Sequence, residues 1–323
     1  MEKIIFPDLY CPFPSQINKH VDVLEEYALE WVLRFNLLEN ESRVYQRFSK
    51  SNFFLLTVYA YPHCQLEELK IANDWLSWLF IWDDQCDMSE LGKQPEILKD
   101  YQKRFLEIFN GIEPTSQDIP LSHALSDIRK RMLQIGDPIS FDRVVRSFEG
   151  YFHGCMLEAF NRLQGIVPDV NTYTKMRRLS VAGDLVLAWI DFFNHLTIPD
   201  VVKEQTIVSK LGEMTSNIIS WCNDIFSASR EMASGDFHNL VLVFHYQQRL
   251  PLEEAIKRCV EMHNQEVQAM IDLEASIPHF GEELDAELEK YVLGLNTWIS
   301  ANLNWYADSA RYQSLEKLEL MAA

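Results

Sequence analysis

Three aspartates directly follow a tryptophan-rich stretch of the chain. Asp83, Asp84 and Asp87 end the segment that begins at Trp75. On a helix, Asp83 and Asp87 point the same way, and Asp84 is turned by about 100° around the axis. Three carboxylates within one turn repel one another, and a buried helix avoids this crowding unless a cation relieves it. We therefore predict that this end of the helix either lies in water or holds metal.

A second set of oxygen-bearing side chains occurs later in the chain. Asn223, Ser227 and Glu231 recur at every fourth residue, so on a helix they form one stripe that drifts by only about 80° over two turns. Amide, hydroxyl and carboxylate oxygens are hard ligands that suit Mg²⁺ and not zinc or copper. The alternative is an exposed helix end with local backbone bonds. Two such clusters, each ending an apolar helix, favour Mg²⁺ ions held around a polyanionic leaving group.

Arginines lie at positions where a diphosphate would need hydrogen-bond donors. Arg177 and Arg178 are at the head of an apolar helix, Arg230 is in the second cluster, and Arg311 and Tyr312 end the last long helix. The planar fork of donors on an arginine suits diphosphate oxygens. The alternative for each arginine is an ordinary exposed surface residue, which is the usual case.

The elements that must position these residues are predicted to be helices throughout. Helical patterns cover residues 22–38, 41–50, 52–60, 66–87, 95–110, 119–136, 139–163, 171–194, 199–230, 238–248, 252–276 and 281–311. Strand signals are almost absent, and no fixed repeat period is evident. On the last helix, Trp298, Trp305 and Tyr312 form a heptad stripe. The predicted fold class is all-α, with about ten or more helices around a common centre.

Composition favours a single domain over residues 1–323. Only 11 glycines and 12 prolines occur, without clusters that would mark a linker. Residues 1–20 contain three prolines and predict an extended arm packed on the body, while residues 312–323 follow the last helix as a tail. No apolar run reaches the roughly 18 residues of a membrane span, and the N-terminus lacks a signal-peptide pattern.

Charge and cysteine usage limit the partners and the compartment. The net charge of −19 repels nucleic acid and anionic membranes. A phosphate-ester substrate would therefore need divalent cations and locally placed arginines. The six scattered cysteines contain no CxxC pair, which indicates reduced thiols in a cytoplasmic protein and not disulfides or a zinc site.

In their order and spacing, these motifs resemble those of the microbial class I terpene synthases over essentially the whole chain. The run Asp83–Asp87 resembles the DDxxD motif of that family, and the stripe from Asn223 to Glu231 resembles its NSE triad. Arg177 lies 46 residues before Asn223 (223 − 177), where the family places its diphosphate-sensing arginine. Residues 235–240 resemble the loop that follows the triad and becomes ordered when the site closes.

Further matches extend the resemblance to both sides of the triad. Arg311 and Tyr312 resemble the C-terminal Arg-Tyr pair of the family, and Arg230 takes a place where relatives often carry lysine. With Arg177 as the sensor, Ser180 takes the linker position and Val181 the effector position, where relatives often have glycine. Gly183 follows two residues later, so the register of the helix break stays open between residues 180 and 183.

The resemblance implies the class I terpenoid synthase fold, a helical bundle around a central cavity, and ionisation of an isoprenyl diphosphate. It implies three Mg²⁺ ions, with Mn²⁺ as a substitute, and a cyclic sesquiterpene made from farnesyl diphosphate. The implied metal ligands are Asp83, Asp84, Asp87, Asn223, Ser227 and Glu231. The implied diphosphate donors are Arg177, Arg230, Arg311 and Tyr312. The candidate cavity aromatics are Phe54, Phe80, Trp298 and Trp305.

Several alternatives remain open at this stage. A chain-elongating prenyltransferase would carry two DDxxD motifs, whereas this chain has one and the triad. A diterpene cyclase would use geranylgeranyl diphosphate, and a silent helical lipid-binding protein would keep the cavity without the reaction. Motifs of other enzyme classes, such as GxSxG, GxxxxGK[ST] and HExxH, do not occur. The product skeleton, the final deprotonation or water capture, and a homodimer are left undecided by the sequence.

Overall fold

A computed structural model describes residues 8–309 and 311 of the chain. This part folds into helices joined by short connections, and it contains no strand. The α-helices are α1 (Val21–Arg34), α2 (Arg43–Lys50), α3 (Phe53–Ala60), α4 (Leu66–Met88), α5 (Pro95–Phe109), α6 (Pro120–Ile135), α7 (Pro138–Gln164), α8 (Val170–Ser180), α9 (Gly183–Phe193), α10 (Asp200–Lys203), α11 (Thr206–Ser234), α12 (Leu240–Gln248), α13 (Leu252–Glu274) and α14 (Glu282–Asp308). A short 3₁₀ helix (Glu90–Lys93) follows α4. The predicted all-α fold class is confirmed.

Most predicted helices agree with the structure to within a few residues, with two clear exceptions. The helical pattern over 171–194 is not one continuous helix, because the chain breaks between α8 and α9, within the residues 180–183 where the resemblance placed a helix break. The helix predicted over 199–230 consists of the short α10 and the long α11, which ends at Ser234. Helix α11 stops there because Gly235 takes a left-handed conformation with φ of 80°, as glycine readily does.

The break between α8 and α9 is fixed by close packing. Ala182 has a φ of 61°, a left-handed conformation that a residue with a Cβ adopts at some cost. A Cβ placed on Gly183 would lie 2.6 Å from the Ser216 hydroxyl of α11. A Cβ placed on Gly154 of α7 would lie 2.5 Å from the Ser180 nitrogen. Two glycines therefore allow α7 and α11 to hold the break from opposite sides.

One face of α4 anchors this helix in the body of the protein. Trp75, Trp78 and Trp82 are fully buried. The Trp75 ring centroid lies 5.2 Å from that of Phe148, and the Trp78 and Trp82 centroids each lie 5.0 Å from that of Phe105. Edge-to-face contacts of this kind add to the free energy gained by burying large rings. The carboxylates at the end of α4 therefore project from a firmly held helix.

The N-terminal arm packs on the body wherever the structure describes it. Residues 8–20 form no helix. The Tyr10 backbone N–H donates to Asn264 Oδ1 on α13 at 2.9 Å, and Asn304 Nδ2 on α14 donates to the Ser15 hydroxyl at 2.8 Å. Residues 1–7, 310 and 312–323 lie outside the described part, so the predicted tail is not covered by it.

Buried side chains form one large core and a smaller one beneath α8, α12 and α13. The assignment of the whole chain to a single domain stays a prediction. Within the described residues, no helix is both long and apolar enough to cross a membrane. All six cysteines are free thiols, and five of them are buried.

Candidate active site

Helices α3, α4, α9, α11 and α14 surround a cavity that opens at the ends of α4 and α11. Its volume is about 100 Å³, and the space including the open mouth is about 800 Å³. The walls are largely apolar and aromatic: Leu56, Leu76, Leu79, Phe80, Tyr151, Val186, Trp189, Ile219, Trp298 and Trp305. The mouth is charged and polar: Asp83, Asp87, Arg177, Asn223, Arg230, Glu231 and Arg311.

Helix α4 presents a second face to this cavity, distinct from the face that carries its tryptophans. Leu76, Leu79 and Phe80 line the apolar part, and Asp83 and Asp87 follow on the same side at the mouth. The spacing matches the helical period, so a single helix carries the change from apolar wall to carboxylate rim. The end of α4 therefore faces a cavity mouth, as required of a metal-holding cluster.

Arginines neutralise the first carboxylate cluster. Arg311 donates two hydrogen bonds to Asp84, at 2.7 and 3.1 Å, and its Nη2 lies 3.7 Å from Asp83 Oδ2. Burial raises the pKa of Asp83 to about 6, although Arg311 acts in the opposite direction. Burial also acts to raise the pKa of Asp84, but Arg311, Arg230 and Arg47 together hold this pKa below its usual value. Arg311 also lies over the Phe80 ring, 5.2 Å from its centroid.

Asp87 is paired with an arginine that sequence reasoning missed. Arg162 Nη2 on α7 donates to Asp87 Oδ1 at 2.6 Å and to Asp236 Oδ2 at 2.7 Å. Glu158 Oε2 lies 3.3 Å from the same nitrogen. Burial and the neighbouring Asp83 raise the pKa of Asp87 well above its ordinary value. No local sequence motif marks Arg162, because its partners lie on other elements.

The second cluster is held mainly by hydrogen bonds. Asn239 Nδ2 donates to the Ser227 hydroxyl at 3.2 Å and to Glu231 Oε2 at 2.8 Å. The Asn239 Oδ1 accepts from the backbone N–H of Val241 at 2.9 Å and so caps α12. Both Asn239 and Ser227 are fully buried. The segment 235–239 therefore fixes two of the three triad side chains.

The third triad residue is positioned by an arginine and a tyrosine. Arg177 Nη2 donates to Asn223 Oδ1 at 2.7 Å, and Asn223 Nδ2 donates to the Tyr306 hydroxyl at 2.6 Å. Arg177 Nε also donates to Asp224 Oδ1 at 3.1 Å, while the Tyr173 hydroxyl donates to Asp224 Oδ2 at 2.7 Å. Burial raises the pKa of Asp224 to about 6 against the effect of Arg177. These bonds fix the orientation of the Asn223 amide.

The remaining predicted site residues divide into three groups. Ser180 and Val181 line the cavity at the α8–α9 break, as do Trp298 and Trp305 on α14. Phe54 is absent from the described lining and lies on a separate pocket with residues of α1 and α2, so its assignment to the cavity is wrong. On α3 the cavity is lined by Leu56, two residues or about 200° further round the helix. Tyr312 lies outside the described residues.

A second groove does not share this chemistry. It lies between α7, α9, α11 and α14, and its charged groups are paired with each other. Lys203 Nζ lies 2.7 Å from Asp191 Oδ1, and Arg143 Nη2 lies 2.6 Å from Asp200 Oδ1. The groove contains neither carboxylate cluster and has a single aromatic residue, Tyr291. The cavity at the ends of α4 and α11 is the candidate active site.

The donor set at its mouth fits Mg²⁺. Carboxylate and amide oxygens of Asp83, Asp87, Asn223 and Glu231 line it, and among the described lining residues there are no thiols or imidazoles. The Ser227 hydroxyl is fully buried and does not line the cavity, but it shares the Asn239 amide nitrogen with Glu231. Within the described part, no group of three His, Cys, Asp or Glu side chains is close enough to hold a metal by itself. The fit of the site to Mg²⁺ therefore depends on the amide, hydroxyl and carboxylate oxygens of the triad together with the aspartates of the first cluster, which are paired with arginines.

Comparisons with known proteins agree with this geometry. Residues 74–269 match the model of terpene synthase family 2, C-terminal metal binding. Germacrene A synthase from Nostoc punctiforme is 56% identical over 320 residues, which cover 99% of each chain. The chain belongs to the terpene synthase family. The (+)-T-muurolol synthase of Roseiflexus castenholzii, described as cyclising (2E,6E)-farnesyl diphosphate, is 35% identical over 97% of this chain and 95% of its own.

Solved structures show the same fold. Germacradien-4-ol synthase from Streptomyces citricolor superposes with a TM-score of 0.81 at 23% identity, over 93% of this chain and 98% of that one. The predicted class I fold, the terpene synthase family and the enzyme class are confirmed. The description of the matched family as metal binding agrees with the use of a divalent metal by its members.

Proposed function

We propose that this terpene synthase ionises farnesyl diphosphate and cyclises the resulting cation to a sesquiterpene, with release of diphosphate. The observation that carries the proposal is one cavity with an aromatic wall and a mouth that holds both carboxylate clusters and three arginines. An apolar chain fits the wall, and a polyanionic group fits the mouth. Names of similar proteins, such as germacrene A synthase and (+)-T-muurolol synthase, support a fifteen-carbon substrate.

We assign the metal-ligand role to both ends of the mouth. Asp83 is the principal ligand of the first cluster, with Asp84 and Asp87 assisting, and Asn223, Ser227 and Glu231 would bind the second site. Three Mg²⁺ ions are proposed, and Mn²⁺ as a substitute. When bound, they would stabilise the charge that develops on the diphosphate oxygens. The oxygen-rich donor set and the firm anchoring of α4 support these roles.

The arginines would bind the diphosphate and fix its orientation. Arg177, Arg230 and Arg311 all reach the mouth, and each can donate two parallel hydrogen bonds to phosphate oxygens. In the structure, Arg311 contacts Asp84 and Arg177 contacts Asn223. Binding would let these guanidinium groups turn towards the incoming anion. The same donor role is proposed for Tyr312.

The cavity walls would protect and steer the carbocation. Phe80, Trp298 and Trp305 present ring faces that attract a cation, and their apolar surroundings exclude water that would capture it. The Phe80 ring stacks on Phe53, with centroids 4.0 Å apart, and the Trp305 indole N–H donates to the Ser51 carbonyl at 2.9 Å. These contacts limit ring motion. The backbone at Ser180 and Val181 is proposed to sense diphosphate through Arg177.

Incubation with geranyl, farnesyl and geranylgeranyl diphosphates and Mg²⁺, followed by mass spectrometry of the volatile products, tests the proposal. A cyclic sesquiterpene from farnesyl diphosphate is expected. A twenty-carbon product would instead favour a diterpene cyclase. A longer diphosphate formed with isopentenyl diphosphate would favour a prenyltransferase, and no diphosphate release from any substrate would favour a lipid-binding protein. A cytoplasmic location and a homodimer stay predictions.

A further inference from the structure

Arg162 connects the first carboxylate cluster with another part of the molecule. Its side chain is only 9% exposed. Its Nη2 donates to Asp87 on α4 and to Asp236 beyond α11, and its Nε donates to the same Asp236 oxygen at 3.0 Å. Glu158 supplies a third carboxylate. A buried arginine with this many acidic partners balances charges that would otherwise destabilise the site strongly.

Asp236 links Arg162 to the backbone of the segment 235–239, here called the triad loop. Its Oδ2 accepts from Arg162, while its Oδ1 accepts from the backbone N–H groups of Phe237 at 2.6 Å and His238 at 3.0 Å. The His238 ring nitrogen Nδ1 lies 2.8 Å from the same oxygen. The guanidinium group is thus joined through one carboxylate to the backbone of the triad loop.

The other end of the triad loop contacts the second cluster. Asn239 donates to Ser227 and Glu231, as well as to the backbone carbonyl of Asp224 at 2.8 Å. A continuous series of contacts therefore runs from Asp87 through Arg162, Asp236 and the triad loop to Glu231. It spans the mouth of the cavity without entering the apolar part.

The Arg162 side chain is also confined by the 3₁₀ helix that follows α4. A Cβ placed on Gly92 of the 3₁₀ helix would lie 1.7 Å from the Cys86 carbonyl and 3.6 Å from Arg162 Nη1. The chain after α4 thus packs tightly beneath the aspartates and beside the guanidinium group. Only a glycine at position 92 allows the chain to come this close to the Cys86 carbonyl. The packed chain leaves Arg162 little room to turn away from its acidic partners.

We propose that Arg162 and Asp236 are positioning residues that couple the two carboxylate clusters. The inference rests on the proposed function of these clusters. Asp83 and Asp87 would hold a cation, and Arg162 would then give up part of its bonding to Asp87. Arg162 then interacts more fully with Asp236, and the triad loop holds Asn239 more firmly on Ser227 and Glu231. Coupling of this kind is reciprocal, so a cation at the triad also favours binding at the aspartates.

The substitution Arg162→Lys tests the coupling with the charge retained. An ammonium group is a compact point charge, and it cannot reproduce the planar fork that bonds Asp87 and Asp236 together. The Mg²⁺ concentration for half-maximal diphosphate release is expected to rise by about 10-fold or more. The KM for farnesyl diphosphate at saturating Mg²⁺ is expected to change less than about threefold. If Arg162→Lys needed the same Mg²⁺ concentration for half-maximal diphosphate release as the wild type, the proposal would be overturned.

Hydrogen exchange gives a readout that is independent of turnover. In the wild type, addition of Mg²⁺ and inorganic diphosphate is expected to slow amide exchange in residues 235–239, and in Arg162→Lys this slowing is expected to be lost. Asp236→Asn is expected to act in the same way, and the double variant Arg162→Lys/Asp236→Asn no more strongly than either single change. Fully additive effects of the two substitutions would contradict the coupling.

Arg131→Lys is the matched control. Arg131 also bonds a fully buried aspartate, Asp74, at 2.6 Å, and it contacts Asp127 at 2.7 Å, away from the cavity. This variant is expected to lower the Tm and leave the Mg²⁺ dependence unchanged; an equal shift in Mg²⁺ dependence would show that Arg162 acts only through stability. If the wild type releases no diphosphate from any isoprenyl substrate, the proposed function fails, while the exchange experiment still decides the coupling.

Discussion

The two carboxylate clusters differ in what holds them in place. In the first cluster, the side chains of Asp83 and Asp84 are 38% and 30% exposed, and arginines from distant parts of the chain pair with the aspartates. In the second, Ser227 is fully buried and Asn239 bonds both Ser227 and Glu231. Arginine charges balance the first cluster. The second is positioned largely by the buried Asn239 amide, although Arg177 bonds Asn223 and Arg230 lies 3.5 Å from Glu231.

This difference indicates separate roles in binding. The Asp83 and Asp84 side chains are partly exposed at the mouth, so a substrate anion there can compete with them for the guanidinium group of Arg311. A buried amide such as that of Asn239 cannot leave its acceptors without a large penalty. The first cluster is therefore suited to rearrange when substrate arrives, and the second to provide fixed geometry.

The largest expected effect comes from Asp83→Ala. Asp83 faces the cavity, whereas Asp84 is turned towards Arg311 and does not line it. We expect kcat for diphosphate release to fall by about 10²–10³-fold in Asp83→Ala, as for loss of a group that stabilises developing charge. Asp84→Ala is the comparison, and its kcat is expected to fall clearly less. Steady-state kinetics would contradict this ranking if Asp84→Ala were the more impaired variant.

A moderate effect is expected from Asn239→Ala. The change removes the donor to three buried acceptors: the Ser227 hydroxyl, a Glu231 oxygen and the Asp224 carbonyl. We expect the free energy of unfolding to fall by about 1–3 kcal/mol and activity to fall by about 10–100-fold.

Denaturant unfolding and kinetics at saturating Mg²⁺ would measure both effects of Asn239→Ala. The exposed Asn110, whose amide donates only to the nearby Leu106 carbonyl, provides the control Asn110→Ala with little change expected. Unchanged activity in Asn239→Ala, with activity measured on the folded protein, would refute the idea that the second cluster depends on this amide.

The pH dependence of metal binding distinguishes the clusters in another way. Burial raises the pKa of Asp83 to about 6, and a carboxylate must lose its proton before it binds a metal. We expect the apparent affinity for Mg²⁺ to fall as the pH drops below about 6, with a weaker fall in Asp83→Asn. Titrations with Mg²⁺ and inorganic diphosphate between about pH 5 and 7.5 measure this; a pH-independent affinity in the wild type would contradict it.

The same shift predicts the pH dependence of stability without metal. Because the folded pKa of Asp83 lies above its ordinary value of 3.8, the folded state holds the proton more tightly than the unfolded chain. The contribution of Asp83 is therefore most favourable below about pH 4 and decreases as the pH rises to about 6. Thermal unfolding of the wild type and of Asp83→Asn, compared over this range, isolates that contribution.

The smallest expected effect is at the α8–α9 break, which lies beside the second cluster. Ala182 has a left-handed φ of 61°, so Ala182→Gly relieves a steric cost and is expected to raise stability by up to about 1 kcal/mol. The exposed helical Ala269 provides the opposite case: Ala269→Gly should lower stability by about 1 kcal/mol. Differential scanning calorimetry measures both, and a Tm that falls in Ala182→Gly would refute the strain at this position.

Sequence reasoning predicted features that depend on local periodicity. The spacing of Asp83 and Asp87 placed both on one side of a helix, with Asp84 turned away, and in the structure Asp83 and Asp87 line the cavity whereas Asp84 does not. The helical period alone determines such a division. The all-α class, most of the helix bounds and the meeting of the two clusters at one mouth followed from the same patterns.

Features that depend on tertiary contacts could not be predicted from the sequence. The pairing of Arg162 with Asp87 joins residues 75 positions apart, and no local spacing indicates it. Phe54 was placed on the cavity by residue type, whereas the direction of α3 turns it away. Ala182 carries no mark of its left-handed conformation; only Gly183, which packs against Ser216, hinted at the break.

The distribution of the eight tryptophans has a practical consequence. Five belong to the packed interior, whereas Trp189, Trp298 and Trp305 line the cavity. Near-ultraviolet emission from this chain therefore includes a part that originates at the cavity wall. The molecule carries an intrinsic optical reporter of occupancy, which can follow the arrival of a non-reactive diphosphate analogue in a stopped-flow instrument without any label.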